Sequence, residues 1–258
     1  MALYRLTRWK RIAVSRLSLR YPLLLRFLPT PRPLYIRRCP YQGTSPSRDL
    51  IVCLPGIGDE AADFEDWGFV DLIRAHPWAA DVLLVDAHYG YYADRTLLDQ
   101  LHHDVLLPAS SAGYRSIWLV GISLGGLGAL LYASQYQQII QGVVAFAPFL
   151  GTDTLVQEIV VAGGLAQWTS RITAYGAYGE IETIWRWVHL RGQQSSPSPE
   201  IFLAFGENDM FVEAHRLLAS SLPSSHVLTR PGGHRWSVWQ ALWRTFLRRH
   251  ISPDPAGS

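Results

Sequence analysis

The chain has 258 residues, 48% hydrophobic and 17% charged, with 21 Gly and 16 Pro, which excludes collagen-like repeats, low-complexity disorder and heptad arrays. Its length suits one large domain or two small ones, and its two cysteines, Cys39 and Cys53, are too few for a disulfide scaffold or a four-thiolate zinc site. No run approaches the ~20 uninterrupted apolar residues of a membrane helix, so a soluble globular protein is expected.

The net charge of +2 hides an asymmetry. Residues 1–48 carry eleven basic side chains and no acid, which leaves −9 for the rest of the chain. Residues 1–38 therefore read as a basic arm in front of a domain over 39–258. A secretory signal needs an apolar core of about 7–15 residues, and arginines interrupt everything longer than Tyr21-Pro22-Leu23-Leu24-Leu25. At about 100° per residue Leu3, Leu6, Trp9, Ala13 and Leu17 share a face, with Arg5, Arg8, Arg11 and Arg16 largely opposite. Three readings stay open: a helix packed on the domain with solvated charges, an interfacial helix on anionic lipid, and a transit-type segment. Nucleic acid is not an expected partner, because no basic patch with interleaved aromatics continues into the body.

From residue 33 short β-rich runs recur, at 33–38, 50–54, 82–87, 117–122, 143–146, 201–205 and 226–229. Most are apolar on both faces, as strands of a parallel sheet covered by helices are. Helix-length segments fall between them, at about 60–75, 94–108, 124–138, 211–222 and 236–250. The alternation predicts an α/β fold with a doubly wound, mostly parallel sheet. One connection, about 150–200, is too long for the pattern and holds Trp168, Tyr175, Tyr178, Trp185 and Trp187. It reads as a small helical lid leaving the carboxyl end of a strand, or else as a helical excursion packed on the body.

The sharpest chemical signal is Gly121-Ile122-Ser123-Leu124-Gly125, a G-x-S-x-G between the apolar strand Ile117-Trp118-Leu119-Val120 and a helical run. A serine on so tight a turn needs neighbours without side chains, and the turn lifts its hydroxyl above the sheet. Serine alone is a weak nucleophile and needs a base oriented by an acid. Of the nine histidines, His234 follows Pro231-Gly232-Gly233 after a strand and is free to reach across the sheet. His76, His102, His103 and His250 read as surface residues, and His215 and His226 as helix and strand side chains. Asp209, in Gly206-Glu207-Asn208-Asp209 after a strand, is the expected acid, with Glu207 and Asp153 as alternatives. Backbone N–H groups of Leu124 and of the Pro55-Gly56-Ile57-Gly58-Asp59 loop are the expected oxyanion donors, Ile57 first and Gly58 second. Trp168, Trp185 and Trp236 are the expected substrate contacts. Neither a cofactor nor a metal is expected, and a phosphate-binding reading of the Gly56 loop is weaker, because it lacks both G-x-G-x-x-G and the P-loop Lys-Ser/Thr.

In four pieces taken in order, the chain resembles the α/β-hydrolase superfamily over about residues 50–250. These are the Pro55–Asp59 loop, Gly121–Gly126, Gly206–Asp209 and Gly232-Gly233-His234. Gly125-Gly126-Leu127-Gly128-Ala129-Leu130 and Gly233-His234-Arg235-Trp236 are most similar to the serine esterase branch. Many relatives carry His-Gly at the oxyanion loop, where this chain has Pro55-Gly56. The resemblance implies a serine hydrolase of a small, apolar carboxylic ester or thioester, working through an acyl-enzyme on Ser123. Acyl transfer and a non-hydrolytic receptor on the same fold are the alternatives. The cytoplasm is the expected location, with the arm as a candidate contact to a membrane surface.

Overall fold

The computed structural model describes residues 30–43, 47, 49–169, 179–194 and 198–251. Most of the basic arm, with Tyr175, Tyr178 and part of the Ser/Pro-rich segment near 195, lies outside the described residues. The strands are β1 (Ile36–Cys39), β2 (Asp49–Leu54), β3 (Ala80–Val85), β4 (Ser116–Ile122), β5 (Gly142–Phe146), β6 (Glu200–Gly206) and β7 (Val227–Arg230). They form one sheet in the order β1-β3-β2-β4-β5-β6-β7, with β1 antiparallel at the edge and every other pairing parallel. β2 and β5 are buried at every position, which explains their continuous apolar runs.

From β2 the chain crosses to β3 on one side, then returns to place β4 on the other side. Loops leaving the carboxyl ends of β2 and β4 therefore diverge, and the crevice between them is where such sheets bind ligands. Leu54 pairs with Gly121, and Ile122 with Phe146, so these carboxyl ends lie level.

The helix α6 (Leu124–Gln135) is buried at every residue from Leu124 to Ala133. A helix apolar all round belongs in the interior, and this one runs behind the sheet between β4 and β5. The last helix, α11 (Trp236–His250), is amphipathic instead. It buries Trp236, Trp239, Trp243, Phe246 and Leu247 at three- and four-residue spacing and ends on Arg248 and Arg249, which suit the negative end of its dipole. Among the described residues no helix is long and apolar enough to cross a membrane.

Several elements depart from the sequence reading. The expected helix over 60–75 is two short ones, α1 (Asp63–Asp66) and α2 (Phe69–Arg74), broken where Gly68 turns left-handed at φ 72°. The segment 94–108 contains α4 (Leu97–Gln100), follows α3 (Tyr89–Ala93), and continues as a π-helix (Leu101–Leu106) into α5 (Leu107–Ser111). The first strand begins at Ile36 and leaves Pro33 outside it, as a residue without an N–H requires. The long connection carries α7 (Asp153–Val161), α8 (Leu165–Thr169) and α9 (Gly179–Arg191). Of these, α9 packs on α6 and serves as the crossover helix between β5 and β6. With α10 (Val212–Ala219) following β6, the alternation of strand and helix is complete.

Candidate active site

Ser123 stands between β4 and α6 with φ 52° and ψ −110°, a strained conformation for a residue with a side chain. The turn persists because its surroundings over-determine it. Ser123 N–H donates to Phe146 O at 2.8 Å, and Ser123 O accepts from Phe149 N–H at 3.0 Å and Leu127 N–H at 3.1 Å. A Cβ on Gly121 would overlap the Gly125 carbonyl, and one on Gly125 would overlap the Leu54 carbonyl. The two glycines thus let the start of α6 press against both β4 and the end of β2. A Cβ at Gly56 would sit 3.6 Å from Ser123 Cβ, so the loop after β2 abuts the serine.

That loop is a tight turn: Asp59 N–H donates to Gly56 O at 3.2 Å, and Gly58 has φ 79°. Among the described residues, the N–H groups of Ile57, Gly58 and Leu124 have no acceptor. Donors of that kind are free to meet a developing negative charge.

On the far side, two further loops are zipped together. Glu207 N–H donates to Arg230 O at 2.9 Å and Asn208 N–H to Gly232 O at 2.9 Å. A Cβ on Gly206 would overlap the Gly232 carbonyl, so this close approach needs glycine. The zipper brings Asp209 to His234. His234 Nδ1 lies 2.9 Å from Asp209 Oδ2 and 3.1 Å from Oδ1, and its Nε2 lies 3.0 Å from Ser123 Oγ. A carboxylate only accepts, so Nδ1 carries the proton and Nε2 presents its lone pair to the hydroxyl.

The Asp209 side chain is fully buried and that of His234 is 19% exposed. Burial works to raise the Asp209 pKa, but hydrogen bonds from His234 and from Phe211 N–H (3.0 Å) outweigh it and hold the carboxyl below the ordinary range. Asp59 behaves in the opposite way. Burial and the neighbouring Asp63 charge push it up to about 6, although Trp236 Nε1–H donates to its Oδ1 at 3.3 Å.

The sequence of residues 85–250 matches the family described as "Putative esterase". The chain belongs to this esterase family. Its fold is that of the α/β-hydrolases, shared with a monoacylglycerol lipase of Paleococcus ferrophilus at 16% identity and a TM-score of 0.55, over 83% of this chain and 98% of that one. Est1E of Butyrivibrio proteoclasticus is similar at 15% identity and 0.56, over 84% and 94%. S-formylglutathione hydrolase of Staphylococcus aureus is similar at 11% and 0.53, over 86% and 98%. Among curated proteins none matches.

In this esterase-family chain the three residues expected to act together, Ser123, Asp209 and His234, meet in one hydrogen-bonded line. Glu207 and Asp153 stay apart from it, exposed after β6 and at the first turn of α7. Two of the three expected substrate contacts lie outside the lining of the cleft beside His234. Trp185 is fully buried on α9 with its indole N–H donated to Leu150 O at 3.0 Å, and Trp168 is buried on α8, which packs against α7 and α9. Only Trp236 faces the site, in a cleft of about 340 Å³ that also has Asp59, Trp67, His234 and Trp239 in its walls. Asp59 is read in the sequence only as the end of the oxyanion loop, and Trp67 and Trp239 not at all; the three-residue spacing of Trp239 from Trp236 on a helix is the available signal.

Of the remaining histidines, His103 is exposed and His215 lies on a helix as expected, while His102, His250 and His226 differ. His102 is half-buried, stacked on Tyr136 and 3.0 Å from Tyr132 Oη, and His250 packs against Phe246 and Phe202. His215 is fully buried on α10 with Nε2 3.0 Å from Pro148 O, and His226 ends a 3₁₀ turn ahead of β7. Cys39 and Cys53 are free and buried.

Proposed function

We propose that this protein is a Ser-His-Asp serine hydrolase that cleaves a carboxylic ester or thioester of a small substrate through an acyl-enzyme on Ser123. The observation that carries the reading is the continuous line Ser123 Oγ, His234 Nε2, His234 Nδ1, Asp209, with spacings of 3.0 and 2.9 Å. Ser123 Oγ attacks the carbonyl carbon while His234 Nε2 takes its proton, and Asp209 steadies the imidazolium that forms. The N–H groups of Leu124 and of Ile57 or Gly58 receive the oxyanion. As the tetrahedral intermediate collapses, His234 returns the proton to the leaving oxygen or sulfur. Water, deprotonated by His234, then attacks the acyl carbon; as the acyl–Oγ bond breaks, His234 returns that proton to Ser123 Oγ and the acid is released.

Where relatives have His-Gly, Pro55-Gly56 leaves the backbone donors in place, and Asp59 braces the turn from inside, its Oδ2 close over Gly56. The test is turnover of a chain-length panel of nitrophenyl esters and acyl thioesters by wild type and Ser123→Ala. Turnover by wild type, lost in a folded Ser123→Ala, supports the reading. Equal turnover by the two proteins would contradict it.

A further inference from the structure

His234 Nε2 faces Ser123, and its ring meets Trp239 edge-on at 4.8 Å. Trp239 in turn meets Trp236 at 5.6 Å and 71°, and Trp236 lies parallel to Trp67 at 6.1 Å and 3°. These indoles and Asp59 wall the cleft beside His234. Trp67 is 39% exposed, although most tryptophans of the described chain are buried. Trp67 thus presents part of its indole to the cleft that His234 also borders.

The wall of the cleft holds one carboxylate, Asp59, and one guanidinium, Arg235. Asp59 is held in place by the Trp236 indole at 3.3 Å, and no ion pair joins it to a cation among the described residues. Asp63 stands near enough to raise its pKa further. Arg235 also borders the cleft, but its guanidinium lies towards Gly232, 3.7 Å from where a Cβ there would sit. Indole faces carry the negative lobe of the ring quadrupole, so they and a carboxylate act in the same sense on a guest.

We propose that this cleft is the subsite for the leaving alcohol, and that it takes an alcohol bearing a quaternary ammonium head. The proposal rests on the serine-hydrolase reading, because it is His234 that returns a proton to the leaving oxygen. The group bonded to that oxygen starts within reach of His234, and His234 is itself a wall of the cleft that the indoles line. A quaternary ammonium is weakly hydrated and apolar at its surface, so it leaves water at low cost and gains both from indole faces and from Asp59. A neutral alcohol gains only the apolar contact, and an anionic one is repelled by Asp59.

Butyrylcholine and 3,3-dimethylbutyl butyrate differ only in a positive nitrogen against a neutral carbon, and comparing them at matched ionic strength and pH 8 isolates the charge. Wild type is expected to show kcat/KM roughly 10-fold or more higher for the cationic ester, as cation–π contact plus a carboxylate implies. Asp59→Asn and Trp67→Ala should each shrink that ratio by roughly threefold to tenfold. Damage to the oxyanion loop would slow both esters together and leave the ratio unchanged. Equal kcat/KM for the two esters, or variants that keep the wild-type ratio, would overturn the subsite and leave the hydrolase reading standing. If neither ester is turned over, tetramethylammonium binding, read by tryptophan fluorescence, separates the cases. Saturable binding lost in Trp67→Ala supports the cation site and counts against the hydrolase reading, whereas no binding overturns the site.

Discussion

Replacing Asp59 by Asn should stabilise the protein near neutral pH and destabilise it near pH 4, so the effect should depend on pH in a defined direction. Burial and Asp63 raise the Asp59 pKa from near 3.8 to about 6. Between those values the folded state holds a proton that the unfolded state has already released, so wild type loses stability as pH rises through this window. The full penalty is present above about pH 6 and absent below about pH 4. A displacement of this size corresponds to about 3 kcal/mol at 1.36 kcal/mol per pH unit, an upper bound because Asp59 is only partly removed from solvent. Asparagine does not titrate and keeps an oxygen for the Trp236 N–H, but it gives up the carboxylate's hold on the Gly56 turn at a pH-independent cost of about 1 kcal/mol. The difference between Asp59→Asn and wild type should therefore climb by about 2 kcal/mol from pH 4 to pH 7 and then level off. Urea unfolding of both proteins at one-unit pH steps measures it, with every other carboxylate common to the pair. A difference that stays flat with pH would refute a desolvated Asp59, whatever its sign.

Asp209→Asn should keep the fold and lower kcat on the order of 10⁴-fold, since the amide cannot hold His234 in the required tautomer; a loss below tenfold would remove Asp209 from the line. Trp185→Phe should cost about 1–3 kcal/mol in urea unfolding by stranding the Leu150 carbonyl, and should leave KM unchanged. A changed KM at unaltered stability would return Trp185 to the substrate. For the basic arm, sedimentation with anionic vesicles of the full chain and of a form lacking residues 1–30 is the check. Lipid contact through the arm requires that the shorter form stay in solution, and equal pelleting would rule that contact out.

Ser123, Asp209 and His234 were legible because each sits where local chemistry leaves a mark: glycines flank the elbow, and Gly206 and Gly232-Gly233 bracket the loops that must touch. The parallel strands were legible for a similar reason, being apolar on both faces. Gly68 concealed a break, because one left-handed residue splits an otherwise acceptable helical pattern. In the long connection, Ile181, Ile184, Trp185 and Val188 repeat at helical spacing and mark a helix that packs on α6, a period that the surrounding Trp and Tyr residues partly mask. The cleft was the least legible part. Asp59 and Trp67 reach Trp236 and Trp239 only through the fold, more than 160 positions away in the chain. No local pattern marks such a meeting.

The central claim is that Ser123 is an activated nucleophile with donors ready for its oxyanion. Labelling wild type and Ser123→Ala with a fluorophosphonate probe, read by intact mass, tests it most directly. One adduct is expected on wild type and none on the folded variant. An unlabelled, folded wild type, or equal labelling of the two, would contradict it.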